Sequence, residues 1–99
     1  MPANIQLSDG IIRVSGEMNA ASVPRLLTAS VELFQQSGHQ LRIDLADVSR
    51  ADSSGLALML DWMRTARQQQ RELSFHRLPA QLLEMARVSG IETLLPLAE

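Results

Sequence analysis

Four short stretches of this chain alternate apolar and polar positions, and the intervals between most of them carry apolar residues at helical spacing. Strict alternation marks strands with one wet face, because successive side chains point to opposite sides of a sheet. Ile5-Gln6-Leu7-Ser8 and Ile11-Ile12-Arg13-Val14 flank Asp9-Gly10, a pair suited to the left-handed dihedrals of a two-residue type I′ turn. In that hairpin Leu7 faces Ile12, Ile5 faces Val14 and Gln6 faces Arg13, so one side is apolar and the other polar. Leu41, Ile43 and Leu45 alternate with Arg42 and Asp44 in a third strand expected at the centre, and Leu73-Ser74-Phe75-His76 gives a fourth.

Gly16-Glu17-Met18-Asn19 is expected to leave the sheet, with a helix starting near Asn19 or Ser22 and Pro24 tolerated in its first turn. Val23, Leu26, Leu27, Val31 and Phe34 form its expected buried stripe, and Gly38 its left-handed cap. In the second helix Leu56, Met59, Leu60, Met63 and Ala66 share the inner side and Asp61, Arg64 and Gln68 lie opposite. Leu58, Trp62 and Thr65 occupy the flank between. Pro79 opens a third helix with Leu82, Leu83 and Ala86 inside, and Ile91, Leu94, Leu95 and Leu97 close over the core. The order predicts an α/β fold: a mixed sheet of about four strands opened by an N-terminal hairpin, with helices mainly on one face, as one domain spanning 1–99.

Composition narrows the function classes. A chain of 99 residues with 45% apolar content has room for one core but not for an elaborate cleft as well. Net charge is −2, and the nine basic residues are all arginines scattered along the sequence, which gives no footprint for nucleic acid. Absence of cysteine excludes disulfides and thiolate-bound metal and suits a reducing cytosol. Met1-Pro2-Ala3-Asn4 shows neither a basic region nor an apolar core, so no signal peptide is visible. No apolar run approaches the roughly 20 residues of a membrane span, so direct insertion is not expected.

Small polar groups concentrate in one place, Ser49-Arg50-Ala51-Asp52-Ser53-Ser54-Gly55, where a polar loop enters the second helix. The first amides of a helix lack intrahelical partners, and Asp52 or either serine can accept from them. Gly55 costs helix propensity in the first turn, for which close approach of another chain would be a reason. Catalysis finds little support: Ser53 has no lysine or histidine base nearby in sequence, His39 and His76 read as solvated surface residues, and no phosphate-binding glycine loop is present. No cofactor or metal is therefore expected.

Asp52-Ser53-Ser54-Gly55-Leu56, after the strand ending Ile43-Asp44-Leu45 and before a leucine-rich helix, resembles the signature of STAS domains, and the likeness extends from about Ile5 to Leu97. That family includes anti-sigma factor antagonists and MlaB-type subunits of bacterial phospholipid ABC transporters. Gly55-Leu56-Ala57-Leu58-Met59-Leu60 and the segment Leu83 to Pro96 are similar to the MlaB-type subgroup. This resemblance implies a non-catalytic subunit at the cytoplasmic side of the inner membrane. It would bind and stabilise or regulate the transporter ATPase, alongside its permease and substrate-binding subunits, in maintaining outer-membrane lipid asymmetry. The alternative it implies is an anti-sigma factor antagonist whose binding to an anti-sigma kinase is switched by phosphorylation of Ser53. Many antagonists carry aspartate where Asn19 stands, a departure that weighs against the kinase. The partner-binding residues expected are Asp52, Ser53, Ser54, Gly55, Leu58, Trp62, Asn19 and Arg50. Trp62 is either an interface anchor or a partly buried core residue, and Arg50 either pairs with a partner carboxylate or is solvated.

Overall fold

The computed structural model describes residues 2–98; Met1, part of the stretch read for a signal peptide, and Glu99 lie outside the described residues. Four strands, β1 (Asn4–Ser8), β2 (Ile11–Met18), β3 (Gln40–Ala51) and β4 (Glu72–His76), lie in the order β1-β2-β3-β4. The first pair is antiparallel and the other two are parallel. Helices α1 (Val23–Gln36), α2 (Ser53–Gln68) and α3 (Ala80–Val88) follow β2, β3 and β4 in turn. No helix among the described residues is long and apolar enough to cross a membrane.

The hairpin has the expected register, Leu7 with Ile12, Ile5 with Val14 and Gln6 with Arg13. Asp9 and Gly10 both take positive φ, 53° and 76°, as a type I′ turn requires. Register then carries the alternation across the sheet. Ile12, Ile43 and Phe75 form one lateral row on the helix-covered face, and each is at most 1% exposed. Arg13, Asp44 and His76 form the adjacent row on the polar face.

Asp44 is buried on that polar face, yet both its oxygens are satisfied. Arg13 donates at 2.8 Å, Arg77 donates to both oxygens, and the Ala46 amide donates at 2.9 Å. The Arg77 hydrogen bond, opposed by desolvation, holds the Asp44 carboxyl below the usual carboxylate range, with the Ala46 amide and the two guanidinium charges adding to it.

Several elements depart from the sequence pattern. Residues 16–18 remain in β2, and β3 continues past Leu45 to Ala51. The pairing of β2 with β3 shifts register twice, because β3 accommodates extra residues between Asp44 and Asp47 and again between Val48 and Arg50. Such bulges break two-residue alternation, which hid the far half of the strand. Gly16 has φ +85°, and a Cβ there would meet the Pro2 carbonyl oxygen at 2.5 Å, so the N-terminal residues occupy the space a side chain would need. Arg25 fixes the same segment by donating to the Ala3 carbonyl.

On α1 the inner stripe is Leu26, Ser30 and Phe34, while Leu27 and Val31 face outward. Gly38 is not left-handed; the helix stops at an extended Ser37 instead. On α2 the buried residues are Gly55, Leu56, Leu58, Met59, Trp62 and Ala66, whereas Leu60 turns outward. The tail forms a short 3₁₀ turn and then runs beside β4, bridging Leu97 to Phe75.

Candidate functional site

The site starts where β2 and β3 end together. The Asp52 amide donates to the Met18 carbonyl at 3.0 Å, and α2 begins at the next residue. Asp52 is the N-cap: its carboxylate Oδ1 accepts from the Ser54 amide at 2.8 Å, and its carbonyl accepts from Gly55. With that role filled by Asp52, the Ser53 hydroxyl is exposed and has no hydrogen-bond partner among the described residues. Ser54 is half-buried.

The bond from Asp52 to Met18 sets the loop after β2 beside this mouth. In that loop Asn19 Oδ1 accepts from the Ala21 and Ser22 amides, each at 3.0 Å. The Ser22 hydroxyl accepts from the Asn19 amide and donates to the Glu17 carbonyl. Asn19 is therefore a turn cap whose oxygen is committed internally. Glu17, Asn19, Arg50, Asp52 and Gln81 line a polar cleft of about 290 Å³ at the carboxyl ends of the two parallel strands. Along its other side Ser53 opens onto an apolar groove between α2 and α3.

Three expected contact residues belong to the interior instead. Leu58 is 2% exposed and Trp62 1%. The Trp62 indole N–H donates to Ser30 Oγ at 2.9 Å, and Ser30 donates to the Leu27 carbonyl, so the polar tip of the tryptophan is satisfied inside the fold. Its ring centroid lies 6.5 Å from that of Phe75. Gly55 is also turned inward: a Cβ would lie 3.1 Å from Met18 Cβ and 3.4 Å from Leu82. The close approach that glycine permits is made by the protein's own β2 and α3.

Gln81, Met85 and Val88 of α3 were not legible as site residues. Gln81 Oε1 accepts from the Ala51 amide at 2.9 Å, tying the start of α3 to the end of β3. Its partner is 30 residues away, and no local signal marks the pair; Met85 and Val88 share a face of α3 only by their three-residue spacing. The histidines lie elsewhere, His76 bonded to Ser74 at 3.0 Å and His39 opposite Glu72 at 3.9 Å.

The same organisation occurs in known proteins. A family model described as "Mlab, STAS domain" matches residues 2–96. The anti-sigma-B factor antagonist of Listeria monocytogenes is 34% identical over 85 residues, covering 85% of this chain and 74% of that protein. The structure of the anti-sigma factor antagonist SpoIIAA in its unphosphorylated form aligns with a TM-score of 0.71 at 20% identity, over 98% of this chain and 88% of that one. The phosphorylated form of the Bacillus cell fate determinant SpoIIAA aligns at 0.68 and 18% identity, over 98% and 91%. At these identities the two structures speak to the fold, whereas the family match and the Listeria relative speak to descent. The strand ends, the capped mouth of α2 and the extent of these matches lead to one conclusion: this chain belongs to the STAS domain family.

Proposed function

We propose that this chain is a non-catalytic docking protein of the anti-sigma factor antagonist kind, acting in the cytoplasm. Its α2 mouth binds an anti-sigma kinase, and phosphorylation of Ser53 releases the partner. The observation that carries this reading is the Ser53 hydroxyl, exposed at the first position of α2 and without a hydrogen-bond partner among the described residues, Asp52 filling the capping role. Phosphate at Ser53 adds roughly −1.5 to −2 charges at pH 7 beside the Asp52 carboxylate, in a surface a partner must desolvate. The helix N-terminus offsets part of that charge, so the fold tolerates what the interface does not. The identity shared with the Listeria antagonist supports this choice of partner class.

A second reading has specific support. The family description names the Mlab type, and Asn19 is uncharged and committed to its own loop. In that reading the same face docks the ATPase of a phospholipid ABC transporter, with its permease and substrate-binding subunits, and Ser53 is a contact without a phosphorylation cycle.

Affinity purification of the tagged chain from its own host separates the two. A serine kinase in the eluate, with phosphate on Ser53 by mass spectrometry after ATP is added, is the expected result. An ATPase with a permease, and unmodified Ser53, overturns the kinase reading in favour of the second. In either case Ser53→Glu should weaken partner retention about tenfold or more at an unchanged melting temperature. Full retention by that variant would remove the mouth from the interface.

A further inference from the structure

We infer that the α2 mouth recognises an amphipathic helix of its protein partner through two unlike depressions that meet beside Ser53, one taking a basic side chain and the other an apolar one. This rests on the docking reading above and names the chemistry of the segment that docks.

The mainly apolar depression is the groove between α2 and α3, about 720 Å³, lined by Leu56, Ala80, Met85 and Val88, with Ser53, Glu84 and Ser89 as polar members of its wall. Val88 is 78% exposed, the most exposed large apolar side chain among the described residues, and the core does not account for its position. A helix laying side chains of spacing i and i+3 or i+4 into such a groove buries them with its own backbone bonds already made.

The polar depression has the opposite chemistry. Glu17 and Asp52 supply two carboxylates against the single guanidinium of Arg50. Asp52 spends Oδ1 on the Ser54 amide, and its second oxygen has no partner among the described residues. Asn19 holds the loop through its carboxamide oxygen. The excess of negative charge complements a lysine or arginine and disfavours an anionic lipid surface, which selects a protein segment as the occupant.

Ala51 and Gln81 line both depressions, and the hydrogen bond from the Ala51 amide to Gln81 forms the ridge between them. One segment can therefore engage both sides. Phosphate on Ser53 would bring a charge to the edge of the apolar groove, where its desolvation opposes entry of the apolar anchor.

Selection of a random twelve-residue peptide library on the immobilised protein, followed by titration of the enriched peptides, tests this. Enriched peptides should carry an arginine or lysine about one turn from apolar residues at helical spacing. Val88→Glu, an exposed change expected to leave the melting temperature unaltered, should weaken them about tenfold or more. Glu17→Gln should weaken an arginine peptide several-fold and leave its Arg→Gln counterpart unaffected. No enrichment, binding indifferent to Val88→Glu, or equal effects of Glu17→Gln on both peptides would overturn the inference. Peptide loss in Val88→Glu together with full partner retention by Ser53→Glu would uphold the groove while removing the serine switch, so the two ideas fail separately.

Discussion

Two ends of one helical turn behave as different materials. Ser53 and Gly55 are two residues apart, about 200° around the helix, so one faces water and the other faces Met18 and Leu82. The body of α2 continues inward through Leu58, Met59 and Trp62, whereas its mouth holds an exposed hydroxyl beside an exposed cap. The lesson is that a family-type signature can mix buried packing with exposed polar chemistry residue by residue. In this tetrapeptide Asp52 builds the helix start, Gly55 builds the core, and Ser53 is left exposed to solvent.

The contrast can be broken most forcefully at Trp62. Trp62→Ala should cost about 3–5 kcal/mol in denaturant unfolding, since it opens a cavity and removes the indole donor from the buried Ser30 hydroxyl, which keeps only its bond to the Leu27 carbonyl. Partner affinity per folded molecule should not change, and a binding defect larger than the stability defect would return this side chain to the surface. Gly16→Ala should cost about 1–3 kcal/mol, because the new methyl meets Pro2 and the backbone is left-handed there; thermal melting reads it, and no loss would mean the N-terminal residues do not pack on β2.

Asp44→Asn extends the comparison to the polar face, with an expected loss of about 1.5 kcal/mol at neutral pH from weakened arginine bonds. The folded carboxyl titrates below its unfolded value, so its stabilisation is complete above the ordinary carboxylate pKa, about 4, and is lost as pH falls through the lowered folded value. Wild type and variant should therefore draw together progressively as pH falls below about 4 in acid unfolding, meeting only below the lowered folded value; parallel curves would show the charge to be unimportant.

Asp52→Ala should cost about 1 kcal/mol by removing the cap. Smallest of all, Ser53→Ala should stay within about 0.5 kcal/mol in the same unfolding assay, because its exposed hydroxyl makes no bond among the described residues. A larger effect at Ser53 than at Asp52 would reverse the division of labour in the mouth.

Local chemistry in the sequence determined much of this protein. The Asp9-Gly10 turn and its flanking alternation specify the hairpin register, and alternation in Leu41–Leu45 and Leu73–His76 specifies which sheet face is wet. The strand-to-helix passage at Asp52 specifies where small polar groups gather. These follow from dihedral preference and two-residue periodicity, which act between neighbours in the chain. Other features required contacts between distant residues. Two bulges carried β3 to Ala51, Ser30 gave the Trp62 indole a buried partner, and the outward turn of Leu27, Val31 and Leu60 followed from which arc of each helix met the sheet. The groove beside Ser53 likewise exists only because α3, held by Gln81, comes to rest against α2. Helical periodicity fixes the spacing of a buried stripe but not its rotation about the axis, and that rotation is decided by whatever the helix packs against.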